Sequence, residues 1–232
     1  GALAPHASAT ALIAFLTGAP QCVGRIKNSS LRSRIYSTPI QADWENDHRS
    51  RYFIRAVAEA CGASAPASIA PPELTLKQDR TDIAQEGIGL NIGASTESRR
   101  WSEQNFFKLA KRLYSKGFDV RVILGPQEEF LVKTTQAVCF ENNWDFSFHA
   151  HIETLIEALR QCRLLISNDT GPGHLAAAVG VPVITLFSTG SPENVKPLAK
   201  QARWFRNKTD INRIKVSEVE KACLAILNTR HH

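Results

Sequence analysis

Leu164-Leu-Ile-Ser-Asn-Asp-Thr-Gly-Pro-Gly-His-Leu-Ala-Ala-Ala-Val-Gly-Val-Pro-Val-Ile-Thr-Leu-Phe187 reads as one strand–loop–helix–strand unit. Leu164-Leu-Ile166 and Val183–Phe187 are short apolar runs of strand length, and the Ala-rich stretch Leu175–Val179 between them suits a crossover helix. The same unit recurs upstream. Ile88-Gly-Leu-Asn-Ile92 is followed by the polar loop Gly93–Arg100. Phe106, Leu109, Ala110 and Leu113 then fall at helical spacing, with Lys108, Lys111 and Arg112 on the opposite side. Ser102 is placed to cap that helix at its start and Gly117 to follow its end. A further strand, Val120–Leu124, stops at Gly125-Pro126. A helix is expected from about Gln127 to Cys139, and another over Ile152, Leu155, Ile156 and Leu159. Strands and helices alternating at this spacing predict right-handed βαβ crossovers and a doubly wound parallel sheet, an α/β fold.

Working outward, Val216, Val219, Cys223 and Ile226 mark a terminal helix. On the other side, Ser8–Leu16 and His48–Cys61 have helical patterns, with a short strand near Gln21–Gly24. Ala65–Pro72, with Pro66, Pro71 and Pro72, reads as a linker. The expected organisation is therefore residues 1–64 as the closing part of one α/β domain, 65–82 as linker, and 83–232 as a Rossmann-like domain with its C-terminal helix. The start at Gly1 and the absence of methionine lead to the expectation that the chain is part of a longer protein.

Composition narrows the class. Of the 232 residues, 43% are hydrophobic and 22% charged, the balance of an ordinary globular protein rather than a disordered or collagen-like one. No apolar run reaches the ~20 residues of a membrane helix. Five scattered cysteines form no CxxC pair, which argues against a disulfide framework or a zinc site and fits a reducing cytosol. The net charge of +6 favours an anionic partner: nucleic acid, phosphorylated metabolite or acidic membrane surface.

In an open parallel sheet, ligands bind beyond the carboxyl ends of the strands. Three segments converge there. Gly93-Ala-Ser-Thr-Glu-Ser-Arg-Arg100 offers hydroxyl and backbone donors, with Arg99 or Arg100 for charge-assisted bonds to phosphate. Gly125-Pro-Gln-Glu-Glu129 brings a carboxylate to where ribose hydroxyls are bound in dinucleotide folds. Ser167-Asn-Asp-Thr-Gly-Pro-Gly-His174 delivers Asp169 and Thr170 to the edge and points a helix N-terminus at it. Taken singly, each has a plainer explanation: a solvated loop, first-turn acids favoured by the helix dipole, a simple helix cap. Asp-Thr-Gly also occurs in aspartic proteases, but those need two such aspartates on an all-β scaffold. No GxGxxG, Walker A, HExxH or GxSxG pattern is present.

In combination, GLNIGASTESRRWSEQNFFKLAKRL, VILGPQEE and LLISNDTGPGHLAAAVGVPVITLFSTGSPENVKP resemble the ADP-heptose:lipopolysaccharide heptosyltransferases, glycosyltransferase family 9. The resemblance is strong over about 85–200, and GAPQCVGR and DHRSRYF resemble the end of that family's N-terminal domain. It implies the GT-B fold, two Rossmann-like domains facing across a cleft. The implied reaction is inverting, metal-independent transfer of a heptose or related sugar from an ADP-sugar to the inner core of lipopolysaccharide.

Carried over by position, Ser95 and Arg99 would bind the diphosphate and Glu128 the ribose. Asp169 would bind sugar hydroxyls, with Thr170, Gly171 and His174 lining the phosphate and sugar side. No cofactor and no metal are implied, the ADP-sugar being a co-substrate. The implied partners are the nucleotide sugar and the lipopolysaccharide acceptor, with peripheral contact at the inner face of the inner membrane of a cytoplasmic protein, and no nucleic acid. The basic stretch Arg25, Lys27, Arg32 and Arg34 is a candidate for that contact, or an ordinary solvated loop. Family members begin with a strand and Gly-Asp loop that supply the base, so the base is expected upstream of Gly1. Another GT-B nucleotide-sugar enzyme, or a non-catalytic nucleotide-sugar-binding module, is the alternative.

Overall fold

The computed structural model describes residues 46–74 and 85–229, together with the backbone of two short strands, β1 (Val23–Arg25) and β2 (Thr38–Ile40). The chain divides into two compact units, Gly1–Ile69 and Ala70–His232. In the first, β1 and β2 pair in parallel, Val23 opposite Thr38. Helix α1 (Arg49–Ala60) follows, close to the expected span. His48 caps it by accepting the Ser50 N–H at Nδ1 (3.3 Å). The expected helix at Ser8–Leu16 and the side chains of Arg25, Lys27, Arg32 and Arg34 lie outside the described residues.

The second unit is built on six parallel strands: β3 (Ile88–Asn91), β4 (Val120–Leu124), β5 (Asp145–Phe148), β6 (Leu164–Asn168), β7 (Val183–Phe187) and β8 (Ala202–Arg206). Their order is β5-β4-β3-β6-β7-β8, so the first three are laid down outward on one side and the last three on the other. Ile88 of β3 is paired both with Val120 of β4 and with Leu164 of β6. The direction of winding reverses between β3 and β6, which is where such sheets open a crevice for a ligand.

The helices explain why the central strands are mostly apolar. Helices α2 (Glu103–Tyr114), α3 (Val132–Asn142) and α7 (Val216–Asn228) pack with Leu90, Ile92, Val122, Leu124, Ile166 and Leu186 in one core. Helices α4 (Ile152–Arg160) and α5 (Gly171–Ala178) form a second core with Ile123, Leu165 and Val183. A strand covered on both faces reads as a near-continuous apolar run, and β3, β6 and β7 are buried along their whole length, with Asn91, Ser167, Asn168 and Thr185 as the buried polar positions. A single-turn helix α6 (Pro192–Val195) lies between β7 and β8.

Several elements depart from the expectations. Strands β5 and β8 were not anticipated; as Asp-Phe-Ser-Phe and Ala-Arg-Trp-Phe-Arg they are edge strands, where charges are tolerated and the apolar run is lost. The helix expected from Gln127 is two elements. A 3₁₀ segment, Pro126–Leu131, precedes α3, broken by the non-helical backbone of Glu128 (φ −104°, ψ 18°). Strand β6 runs two residues past Ile166, and α5 starts at Gly171 rather than Leu175, with Pro172 in its first turn where a missing N–H costs nothing. Ser102 caps α2 as expected, accepting the Asn105 N–H (3.3 Å). Gly117, with φ +85°, follows two residues beyond the helix cap at Ser115. Cys61, Cys139, Cys162 and Cys223 are free thiols, the last three buried.

Candidate functional site

Two asparagines at the ends of the central strands assemble the crevice. Asn168 donates from Nδ2 to the carbonyls of Ile92 (3.2 Å) and Gly93 (2.9 Å), and accepts the Trp101 N–H at Oδ1 (3.0 Å). One buried side chain thus ties both ends of the β3–α2 loop to β6. Asn91 donates to the Ile123 carbonyl on β4 (3.0 Å) and accepts from the Thr170 hydroxyl (3.3 Å). Trp101 locks the far end of the loop: it is fully buried, meets Phe106 edge to face at 5.0 Å, and donates from Nε1 to the Ile214 carbonyl (3.1 Å). Neither Asn91 nor Asn168 is singled out as a site residue by its sequence alone. A buried amide after an apolar run is the signal that marks both.

Between the three loops lies a cleft of about 350 Å³. Ser95, Glu128, Asp169, Thr170 and Gly171, all singled out from sequence, line it together. Ile152, Leu155, Pro172 and Leu175 supply an apolar side that sequence reasoning missed, because as helix residues they are indistinguishable from ordinary core positions. Arg99 and His174 are exposed and do not line the cleft, but both bear electrostatically on Asp169.

The two carboxylates are held differently. Glu128 is buried, and its Oε2 accepts the Gly125 N–H at 3.0 Å. Burial pushes its pKa up, against the opposing pull of that hydrogen bond and of the Arg100 guanidinium. Arg100 lies over the Phe130 ring (5.4 Å) and donates to the Ala94 carbonyl (3.3 Å), so the adjacent arginines diverge, one towards Glu128 and the other towards Asp169. Glycine at residue 93 leaves room for the carboxylate where it stands: a Cβ there would lie 2.2 Å from the Glu128 carboxyl and force it to move. Asp169 is half-buried. Burial raises its pKa too, with Arg99 and His174 opposing.

Helix α5 begins beside them. Its N-cap, Thr170, directs its hydroxyl to Asn91 and to the Asn168 carbonyl (3.3 Å each), so no side chain caps the helix at Gly171, where it borders the cleft. Gly173 lets α5 come down on the sheet: a Cβ would stand 2.8 Å from the Ser167 Oγ. A half-buried carboxylate, a buried carboxylate, an arginine and an open helix N-terminus together suit a ligand carrying both hydroxyls and negatively charged oxygens. Among the described residues no group of three or more His, Cys, Asp or Glu is gathered to hold a metal ion.

The comparisons agree with this architecture. The lipooligosaccharide heptosyltransferase 2 of Haemophilus ducreyi is 28% identical over 122 residues, half of this chain and 35% of that protein. The lipopolysaccharide heptosyltransferase 2 of Salmonella typhimurium is 27% identical over 138 residues, 55% of this chain and 38% of that protein. The chain thus spans well under half the length of these curated relatives. Among solved structures, the ADP-heptose lipopolysaccharide heptosyltransferase II of E. coli has a TM-score of 0.72 at 20% identity, covering 98% of this chain and 76% of that one. A family 9 glycosyltransferase from Veillonella parvula also scores 0.72 at 20% identity, over 96% and 71%. These likenesses carry the fold, which is of the GT-B heptosyltransferase type. The sequence model of glycosyltransferase family 9 (heptosyltransferase) matches residues 3–223, and the chain belongs to that family.

Proposed function

We propose that this chain carries the donor side of a glycosyltransferase that moves heptose, or a related sugar, from an ADP-sugar to the inner core of lipopolysaccharide. The observation that carries the reading is the joint placement of Glu128, Asp169 and the open N-terminus of α5 around one cleft at the point where the sheet reverses. In this reading Glu128 accepts hydrogen bonds from the ribose hydroxyls, and Ile152, Leu155 and Leu175 offer apolar surface for the base. Ser95, Arg99 and the start of α5 at Thr170–Gly171 receive the diphosphate. Asp169 orients the sugar hydroxyls, and His174 and Arg99 hold its charge.

The chemistry follows from those positions. As the glycosidic bond breaks, negative charge grows on the departing diphosphate and positive charge on the anomeric carbon. Arg99 and the α5 dipole stabilise the first, and the Asp169 carboxylate faces the second. The transfer is inverting, with a base on the acceptor side removing the proton of the attacking hydroxyl. It is metal-independent, because cationic and dipolar groups of the protein take the part that a divalent ion would otherwise play. The protein works at the cytoplasmic face of the inner membrane, in peripheral contact with it; among the described residues no helix is long and apolar enough to cross a membrane.

The test is calorimetry with ADP beside a transfer assay with ADP-heptose and a lipopolysaccharide acceptor, run with and without EDTA. ADP binding that Glu128→Gln and Arg99→Ala weaken, with EDTA-insensitive transfer, is expected. Absence of ADP binding would overturn the donor-side assignment, and activity lost to EDTA and restored by magnesium would overturn metal independence.

A further inference from the structure

Helices α2 and α7 lie against each other, and the groove along their outer side encloses about 500 Å³, away from the donor cleft. Lys108, Lys111, Arg112, Arg213 and Lys215 line it, and no acidic residue does. On α2 the spacing 108, 111, 112 places three of these cations on one helix face. Only Arg112 has an ion-pair partner among the described residues: Glu220, at 3.0 Å, whose other oxygen lies 3.7 Å from Lys116. Lys108, Lys111, Arg213 and Lys215 are exposed and uncompensated. The two remaining acids of these helices, Glu103 and Glu218, stand outside the groove.

We propose that this groove is a docking surface for the phosphate groups of an anionic lipid bilayer. The choice of partner rests on the lipid-linked acceptor of the reading above, and the character of the groove supports it. All five cations are exposed, so they act as a diffuse positive field rather than as the converging buried donors that hold one discrete phosphate ion. No aromatic ring lines the groove, so it has no platform for the base stacking that single-stranded nucleic acids use. Long, flexible lysine stems suit headgroups at variable positions, and such an attraction weakens as salt screens it.

The experiment is co-sedimentation of the full chain with vesicles of phosphatidylcholine alone or mixed with phosphatidylglycerol, at low and high salt. The variant is Lys108→Glu/Lys111→Glu/Lys215→Glu, and ADP calorimetry is run on the same preparations. Partition into the phosphatidylglycerol vesicles alone, lost at high salt and reduced about a hundredfold or more in the variant, is expected. The variant's ADP affinity stays at the parent's value, which shows that it is folded. Equal partition of parent and variant, or no partition of the parent, would overturn the proposal. So would release by inorganic phosphate well below the ionic strength at which sodium chloride releases it, which would mark a discrete ion site. Tighter binding of an oligothymidylate than of the vesicles through the same lysines would overturn it in favour of nucleic acid. Failure of the parent to bind ADP bears on the donor reading alone, because the vesicle arm decides this one.

Discussion

Asp169 and Arg99 define the residue-scale energetics of the cleft. Each is assigned a charge-assisted hydrogen bond to the donor, so Asp169→Ala and Arg99→Ala are each expected to lower donor affinity by roughly ten- to a hundredfold, ~1.5–3 kcal/mol. Calorimetry with the ADP-sugar checks both, and unchanged affinity in the two variants would remove the assignments. Glu128 makes a prediction with two signs. Its pKa in the folded chain is raised above the ordinary 4.5, so between those two values the folded state holds more protons than the unfolded state and stability falls as pH rises. Glu128→Gln should therefore raise the melting temperature at neutral pH, with the gain vanishing towards low pH. The same substitution should weaken ADP binding at neutral pH. The parent should lose ADP affinity as the pH falls through the raised pKa, above the pH at which an ordinary carboxylate would titrate. Comparing the two pH profiles cancels the titration of ADP's own phosphate.

Among the elements, the join between β3 and β6 is the most exposed to a single change. Asn168 satisfies two carbonyls and one N–H in a fully buried setting, and Asp at that position keeps the acceptor but loses both donors beside those carbonyls. Asn168→Asp is expected to destabilise by about 2–4 kcal/mol, seen as a lower urea midpoint, with donor binding lost through the loosened Gly93–Trp101 loop. Gly173→Ala presses a Cβ to 2.8 Å from Ser167 Oγ and should lift the start of α5 from the sheet. A stability loss of ~1–3 kcal/mol and weaker ADP binding are expected, read by the same denaturation series and calorimetry.

The elements also show what a sequence can reveal. The strands buried on both faces were legible because continuous burial favours a near-continuous apolar run, and α2 and α4 because their apolar spacing repeats. Strands β5 and β8 were not, since edge strands need no such pattern. That Glu128, Asp169 and Thr170 line one cleft was legible because they follow strand ends. The electrostatic pull of Arg100 on Glu128, and the work of Asn91 and Asn168, depend on contacts between distant segments that no local pattern records.

For the whole molecule, the donor cleft links ligand binding to global stability. A ligand that binds only the folded chain stabilises it by about 2.7 kcal/mol at a hundredfold excess over its dissociation constant. ADP should accordingly raise the melting temperature, equally with and without EDTA; a shift that appears only with added magnesium would contradict metal-independent binding. The contact between Gly93 and Glu128 has a consequence on another timescale. A Cβ at residue 93 and the glutamate at residue 128 in its present position claim the same space, so residue 93 can gain a side chain only if the one at 128 shortens or moves. Over evolutionary descent a larger residue at 93 should travel with a shorter partner at 128, and glutamate at 128 with glycine at 93. A chain made to carry Gly93→Ala should be repaired by Glu128→Asp, although the two sites belong to different crossover units and neither sequence neighbourhood mentions the other.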